Sequence, residues 1–359
     1  MQKKIIALAV AALASTAAFA QTNVTIYGIA DASISATSNL GANGGQTGFK
    51  VNSGTLSTSR IGFKGVEDLG NGLKALFVLE YGLGIDVSQG IGYNASASSA
   101  YARQQFVGLT GGFGTAVAGH LQTTGFDFTA ATTALAGSTS LGAINVAANG
   151  NGGLINGNNL IAALGGGRQD NAVAYISPSF GGVSFAYNHA RVTEKALTND
   201  MSDAHGDLVS VSYDNGPITA GAIYTKVTNP QTVAKDNLKE FGLRAGYDFG
   251  VAKLQASFQE AKQDGLSGND KLWGVSLSAP IGAKVGVIAE FAQNRIGTTP
   301  GKDNVNVGTL ATTYALSKRT TAYAGFVAKR ASNDTTRNTT TNPYLTDTNT
   351  YAVGLRHAF

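Results

Sequence analysis

The sequence predicts an all-β protein, a 16-stranded antiparallel transmembrane β-barrel, and three observations lead to this prediction. Apolar and polar residues alternate in segments of about ten residues, as in strands whose two faces meet different surroundings. Short and long connections between these segments follow one another in turn along the chain. Beyond the N-terminus, no apolar run approaches the roughly 20 residues that a membrane helix needs.

The first 20 residues are typical of a signal peptide, because Lys3 and Lys4 precede a short apolar run and an Ala-Phe-Ala cleavage site. We expect residues 1–20 to be removed during export through the periplasm to the outer membrane. Residues 21–359 should then form one barrel domain, since no linker divides them. Sixteen strands would each take about 21 residues with their connection, which suits tilted strands of about ten residues.

Composition argues against several classes of protein. The chain has no cysteine, which excludes thiolate chemistry, cysteine-ligated metals and disulfides. The four histidines are scattered without the spacing of metal ligands, and no nucleophile-elbow motif is present. The formal net charge of +4 falls to +2 without Lys3 and Lys4, too little to indicate nucleic-acid binding. We therefore predict a protein that is not an enzyme, with no cofactor, no metal and no catalytic residue.

The first third of the chain contains a lone strand and two hairpins. Short turns at 67–72 and 111–114 join the paired strands. The Gly- and Asn-rich stretch 38–53 and the stretch 82–100 are predicted to be loops. Alternation predicts strands within residues 24–31, 59–69, 72–81, 101–110 and 115–120.

The alternation stops between residues 123 and 167. Connections longer than roughly 15 residues without strands are uncommon and are usually functional. Asp127 is the only charged residue of this segment, which is otherwise rich in Ala, Gly, Asn and Thr. Its Asn-Gly repeats lack the aspartates of calcium-binding repeats, so we predict no calcium site there.

Hairpins repeat from residue 168 to the C-terminus, with seven short turns and eight longer loops counted over the whole chain. In a membrane barrel the long loops lie outside the cell and the short turns face the periplasm. Aromatic residues near the ends of the apolar stripes are predicted to form lipid-facing girdles: Phe241, Tyr247, Phe258, Trp273, Phe291 and Tyr323.

The last nine residues alternate strictly and end in an aromatic residue. They are predicted to form the closing strand, and a terminal Phe after alternating apolar residues resembles the C-terminal signal of Gram-negative outer-membrane proteins. A soluble edge strand is the alternative reading of such a stretch. The predicted assembly signal consists of Tyr351, Val353, Leu355 and Phe359.

Several motifs resemble the trimeric porins of the β-proteobacterial general-porin family. They are Val-Thr-Ile-Tyr-Gly from residue 24, Arg-Ile-Gly-Phe-Lys-Gly-Val-Glu-Asp-Leu-Gly from 60, Arg-Gln-x-Phe-Val-Gly-Leu from 103, Arg-x-Asp-Asn from 168, and Gly-Leu-Arg-His from 354. The resemblance implies a homotrimer among outer-membrane lipid and lipopolysaccharide, assembled by the barrel-assembly machinery through the C-terminal strand. It implies a water-filled channel for small hydrophilic solutes and ions, with residues 123–167 folded into the lumen as a constriction loop.

The same resemblance implies a basic ladder of Arg60, Arg103 and Arg168 on the wall that faces this loop. Glu80 and Asp127 are candidates for the acidic side, although porin loops usually carry more acids than this one. Alternation alone leaves Arg103 open, because its face depends on whether Phe106 points outward. Other pore-lining candidates, inward by alternation, are Lys64, Lys74, Glu240 and Arg244.

These charges predict weak anion selectivity, because inward basic residues outnumber inward acids. Two alternatives stay open. Each arginine could pair with a neighbouring carboxylate and stiffen the wall, or acids of the long loops could favour cations: Asp200, Asp203, Asp207 and Asp236. An adhesin or enzyme platform is the second hypothesis for function, and it requires residues 123–167 to lie outside the lumen.

Overall fold

The computed structural model is a closed antiparallel barrel. It describes residues 23–39, 47–88, 90–92, 102–149, 154–155, 167–191, 204–228, 237–297, 303–332 and 347–359. The predicted signal peptide lies outside these residues. Neither helix among the described residues has the length and apolar character to cross a membrane.

Seventeen strand segments and two short helices make up the described part of the chain. In chain order the strands are β1 (Asn23–Asn39), β2 (Thr47–Ser53), β3 (Arg60–Gly70), β4 (Leu73–Gly82), β5 (Ala102–Gly111), β6 (Gly114–Gln122), β7 (Arg168–Ile176), β8 (Val183–Arg191), β9 (His205–Asn215), β10 (Ile218–Thr228), β11 (Leu238–Asp248), β12 (Lys253–Gln263), β13 (Asp270–Ile281), β14 (Val285–Arg295), β15 (Asn304–Ala315), β16 (Thr320–Ser332) and β17 (Thr348–Ala358). The helices, both between β6 and β7, are α1 (Thr124–Ala130) and α2 (Ala143–Ala148).

The first strand closes the barrel. On one edge β1 pairs with β17, from Ile29 opposite Ala358 to Asn39 opposite Thr348. On the other edge its first half pairs with β3 and its second half with β2, so β2 and β3 are two parts of one interrupted wall strand. The 17 segments therefore form 16 barrel strands, which confirms the predicted fold class.

The interpretation of 38–53 as a loop is wrong, because residues 47–53 form β2. Phe49 and Val51 are 76% and 61% exposed, on the outward face of this strand. Only two apolar residues alternate here, within a Gly- and Asn-rich stretch, so the sequence pattern did not indicate a strand.

Short turns occupy one rim of the barrel, which we call the short-turn rim, and longer connections occupy the other, the long-loop rim. The turn at Gly70, Asn71 and Gly72 has positive φ at all three residues, 86°, 52° and 77°. Glycine and asparagine tolerate this left-handed backbone better than other residues. The Asp68 carboxylate also accepts the Gly70 N–H at 2.8 Å.

Apolar side chains cover the outer wall. Phe241, Tyr247, Trp273 and Phe291 are 38–43% exposed, as expected for lipid-facing girdles. The lipid-facing assignment of Tyr323 is wrong, because it is 4% exposed and its hydroxyl donates to Asp31 at 2.6 Å on the lumen side. A Cβ at Gly354, its neighbour on β17, would overlap the Tyr323 ring, so glycine gives the ring its place.

The C-terminal strand presents its apolar residues outward. Tyr351, Val353, Leu355 and Phe359 are 45–65% exposed, whereas Ala352 between them is buried. Phe359 completes the closure, since it exchanges two backbone hydrogen bonds of 3.1 Å with Gly28. Its ring lies over Gly28, where a Cβ would overlap it.

The described parts of 123–167 lie inside the barrel. The Thr123 N–H and hydroxyl both donate to the Gly167 carbonyl, at 2.9 and 3.2 Å, and so close the base of the loop. α1 packs against β8–β10, and α2 packs against β13–β16 across the lumen. Leu141 and Ile144 are fully buried between loop and wall. The largest apolar cluster of the described residues therefore joins the loop to the wall rather than lying within the sheet.

Candidate functional site

Strand pairing places charged side chains at one level of the inner wall. Arg60 begins β3 and pairs opposite Gly82, Ala102 pairs opposite Tyr81, and Gln122 pairs opposite Arg168. On the other side of β3 lies β1, where Asp31 pairs opposite Arg356 of β17. Across seven neighbouring wall positions the inner face thus carries Arg356, Asp31, Arg60, Glu80, Arg103, Gln122 and Arg168.

Arg60, Glu80 and Arg103 form a compact ionic cluster. The Arg103 Nε donates to Glu80 Oε1 at 2.7 Å, and the Arg60 Nε lies 3.5 Å from Glu80 Oε2. The Glu80 and Arg103 side chains are 5% and 8% exposed, and Arg60 is 17% exposed. Glu80 therefore sits between two ladder candidates on the same wall, rather than opposite them.

A β-bulge turns Arg103 toward the lumen. The pairing of β4 with β5 shifts between Glu80 and Tyr81, which leaves Arg103 without a pair. Phe106 is buried, so regular alternation would have sent Arg103 outward. The extra residue reverses the alternation, as bulges do. Alternation could not predict this orientation.

Tyr27 extends the cluster. Its hydroxyl donates to Glu80 Oε2 at 3.0 Å, and the Lys64 ammonium lies 5.2 Å from the centre of its ring. Glu80 consequently accepts from a phenol as well as from a guanidinium. Gly62 makes room for the tyrosine, since a Cβ there would overlap the end of the ring.

The segment 54–59, between β2 and β3, turns into the lumen over Asp31. Asp31 Oδ2 accepts the backbone N–H groups of Leu56 and Ser57 at 3.0 and 2.7 Å. The Ser57 hydroxyl in turn accepts from the Arg356 Nε at 3.2 Å. We call this segment with Asp31 and Tyr323 the inner latch, because it also holds the long loop: the Ser138 hydroxyl donates to the Thr55 carbonyl at 2.5 Å.

Arg168 stands in a separate group at the base of the loop. Its guanidinium lies 4.5 Å from the centre of the Phe126 ring and donates to Gln122 Oε1 at 3.3 Å. Gln122 donates to Asp127 Oδ1 at 2.6 Å. Asp127 is open to the lumen, yet confinement by the surrounding protein raises its pKa to about 6, against the opposing effects of Gln122 and Arg168.

The remaining candidates are spread over the inner wall. Arg244 is buried, donates to the Ser212 hydroxyl at 2.9 Å and lies 5.6 Å from the centre of the Phe128 ring of α1. Glu240 is 3% exposed on the inner face of the same strand. Lys74 is half-buried on the inner face of β4, near the short-turn rim.

Wall acids hold the loop through its backbone. Glu290 accepts the N–H groups of Leu135 and Ala143, at 2.8 and 3.0 Å, one on each carboxylate oxygen. Asp270 likewise accepts the Leu154 N–H. A loop with one acid of its own is thus anchored by the acids of the barrel.

Sequence reasoning missed Asp31, Glu290 and Arg356 as inner-wall charges. Arg356 could have been found, since it alternates with the apolar residues of the last strand. Of the loop acids that could favour cations, Asp207 lies on the outer wall, where it accepts from Tyr187 at 2.6 Å. The other three lie outside the described residues.

Within the described ranges, no group of three His, Asp or Glu side chains could hold a metal ion. What the site offers is a set of charges on an inner wall, opposite a folded-in loop. Such an arrangement can bias the passage of ions, because fixed charges act strongly on ions in a confined space.

Comparisons with known proteins agree with this architecture. A family model described as Gram-negative porin matches residues 7–336. Outer membrane porin protein 32 of Delftia acidovorans is 32% identical over 339 residues, covering 90% of this chain and 88% of that protein. An outer membrane porin protein of Bordetella pertussis is 30% identical, with 100% of both chains covered. A solved anion-selective porin from Comamonas acidovorans aligns with a TM-score of 0.75 at 26% identity, covering 94% of this chain and 100% of its own. The chain therefore belongs to the Gram-negative porin family, whose members are channels of the outer membrane.

Proposed function

We propose that this porin is a water-filled diffusion channel for small hydrophilic solutes and ions with a weak preference for anions. The observation that carries the proposal is the cluster in which two guanidinium groups share the single carboxylate of Glu80. One positive charge remains in excess there, and Lys64 stands beside it. An anion that passes this level meets an attractive wall.

The other charges at this level largely cancel. Asp127 offsets Arg168 whenever its carboxylate is ionised. Asp31 lies opposite Arg356 and accepts three neutral donors, which reduces its attraction for a passing cation. The excess of positive charge is therefore small, and the Debye length of about 8 Å at physiological ionic strength weakens it further. Both effects support a modest preference.

The position of the loop argues against an adhesin or enzyme platform. That function would need residues 123–167 at the outer surface, whereas their described parts pack inside the barrel. A loop folded into the barrel narrows the lumen, so that solutes pass between the loop and the basic wall.

The proposal extends to partners. A homotrimer, contact with outer-membrane lipid and lipopolysaccharide, and assembly through the C-terminal strand all follow from the family resemblance. The outward apolar face of Tyr351, Val353, Leu355 and Phe359 is open for such an assembly contact. We also propose that residues 1–20 are cleaved and that 21–359 form the mature barrel.

The test is the reversal potential of the purified protein in planar bilayers under a KCl gradient. Replacing Arg60 and Arg168 by Ser should move the reversal potential toward cation preference. The control Lys284→Ser/Lys318→Ser removes the same charge from exposed turns of the short-turn rim and should change little. A wild type that prefers cations, or a double variant identical to wild type, would refute the assignment of the basic wall.

A further inference from the structure

Two glycines of the inner wall lie directly beneath the second half of the loop. Gly274 of β13 faces Ile144, and Gly325 of β16 faces Leu141. A Cβ added at Gly274 would lie 2.6 Å from Ile144 Cγ1, and a Cβ added at Gly325 would lie 2.7 Å from Leu141 Cδ2. Carbon atoms in contact prefer a separation of about 3.5–4.0 Å. The two loop side chains therefore fill the space that a larger wall residue would need, and we call the two glycines the wall sockets.

The side chains that enter the wall sockets have no space to move aside. Leu141 and Ile144 are fully buried, within the apolar cluster that joins the loop to the wall. Alanines of the neighbouring strands pair beside the sockets and belong to the same cluster: Ala292, Ala311 and Ala352. Protein interiors are close-packed, so an added carbon shifts the structure around it. A Cβ at either socket would therefore push the loop about 1 Å away from the wall.

The loop around these side chains is bonded into one unit, residues 135–148, which we call the loop block. The Asn145 amide donates to the carbonyls of Ala136 and Ser138, at 2.7 and 2.8 Å. The Ser138 hydroxyl accepts the Leu141 N–H at 2.9 Å. Because these bonds lie within the block, a displacement at one socket is transmitted to the rest of it.

Glu290 holds the same loop block against the wall. The two N–H groups that its carboxylate accepts, at 2.8 and 3.0 Å, belong to Leu135 and Ala143, the first and a central residue of the block. A shift of about 1 Å would stretch both distances beyond about 3.5 Å, which is too long for a hydrogen bond. These bonds require a close approach of loop and wall, and the absence of a side chain at the sockets permits it.

We propose that Gly274 and Gly325 determine how close to the wall the loop block lies, and that they thereby set the largest solute that the channel admits. This inference rests on the proposed diffusion channel but not on the sign of its ion preference. Solutes pass on the lumen side of the block, so a block seated closer to the wall leaves them a wider passage. A larger residue at a socket narrows this passage from behind the loop and changes no charge.

The experiment compares single-channel conductance in planar bilayers with the swelling of proteoliposomes in uncharged sugars of increasing size. The socket variants are Gly274→Ala and Gly325→Ala. The control is Gly308→Ala, the same substitution on the intervening strand β15, where an added Cβ meets nothing within 4 Å. We expect each socket variant to lose roughly 10–30% of the conductance, and to admit the largest permeant sugar at least about twofold more slowly, because a shift of about 1 Å narrows the passage. The control should behave as wild type does.

The variant Leu141→Val supplies a matched rescue. Combined with Gly325→Ala, it moves one carbon from the loop to the wall and keeps the total number of side-chain carbons, as volume-conserving exchanges do. The double variant should regain the conductance and sugar permeation of wild type. A general loss of stability would not be repaired in this way, because Leu141→Val by itself shortens a buried side chain. If Gly325→Ala alone yields no heat-modifiable folded band, return of that band in the double variant supports the same contact, and its continued absence refutes it.

Three results would overturn the proposal. They are wild-type conductance and sugar permeation in both socket variants, an equal reduction in Gly308→Ala, and no recovery on addition of Leu141→Val. The two proposals fail separately, because uncharged sugars do not respond to the charge of the wall. A wild type that prefers cations would refute the basic wall, and the sugar measurements would still decide whether the sockets set the size limit.

Discussion

Replacing Glu80 by Gln removes the one carboxylate that Arg60 and Arg103 share. The substitution keeps the size of the side chain and a carbonyl oxygen that can accept from Tyr27 or Arg103. The cluster changes from one net positive charge to two. The Glu80→Gln channel should therefore prefer anions more strongly than wild type.

The size of this change follows from distance and screening. One unit charge about 5 Å from a passing ion is worth about 0.8 kcal/mol in water, and salt at physiological strength reduces it to roughly half. Anions gain what cations lose, so the ratio of anion to cation permeability should rise about two- to fourfold. The stability of the barrel should fall by about 1–3 kcal/mol, less than for a fully buried ion pair because lumen water reaches Arg60.

The assay is the reversal potential under a gradient of 0.1 M to 1 M KCl, with the denaturant midpoint of the folded band measured in parallel. Glu67→Gln serves as the control, since this exposed acid at the short-turn end of β3 carries the same charge. A shift toward cations, or the same shift in both variants, would show that Glu80 does not set the charge of the inner wall at the ladder level.

Three further predictions concern the loop, the latch and the closing strand. Lowering the pH from about 7.5 to about 5 should increase anion preference, because protonation of Asp127 below its raised pKa removes the negative charge beside Arg168. In measurements of the reversal potential, Asp127→Asn should abolish this response. Asp31→Ala leaves the N–H groups of Leu56 and Ser57 and the Tyr323 hydroxyl without their acceptor. It should lower the stability of the barrel by about 1–3 kcal/mol and increase the frequency of closures in single-channel records. Records like those of wild type would show that the inner latch does not hold the loop. Deleting Phe359 removes two backbone hydrogen bonds to Gly28, worth about 1 kcal/mol each, and should reduce the heat-modifiable folded band in outer-membrane fractions; an unchanged yield would contradict a role in assembly.

The barrel could be predicted from the sequence because its strands and turns are determined by local sequence patterns. Lipid on one side and water on the other impose a period of two on every strand, and each hairpin needs turn residues at fixed places. The break at 123–167 was visible for the same reason, and hydrogen bonds from Thr123 to Gly167 close the segment at those two residues. Alternation also gave Arg60 and Lys64 their inward face.

Alternation is a poor guide where a single residue interrupts the pattern or where a tertiary contact reverses it. The bulge at Arg103 changes the face on which this side chain lies, and the local composition does not indicate a bulge. Tyr323 resembles a girdle residue in the sequence, but its hydroxyl donates a hydrogen bond to Asp31, which is 292 residues away along the chain. Glu80 was a candidate for the acidic side opposite the basic ladder, but pairing of β3 with β4 places it beside Arg60 on the same wall. This is the alternative in which an arginine pairs with a neighbouring carboxylate.

The loop of this porin is nearly neutral. It can still keep a fixed position, because acids of the wall bind its backbone. Its backbone N–H groups need acceptors inside the barrel, and buried donors without a partner are costly. Glu290 and Asp270 supply those acceptors from the wall, and Asp31 does the same for residues 54–59. Acids used in this way face the loop rather than the water path, so they attract passing cations less. Arg60 and Arg103, by contrast, share the one carboxylate of Glu80, and the preference for anions that we propose follows from this unequal use of acids and bases.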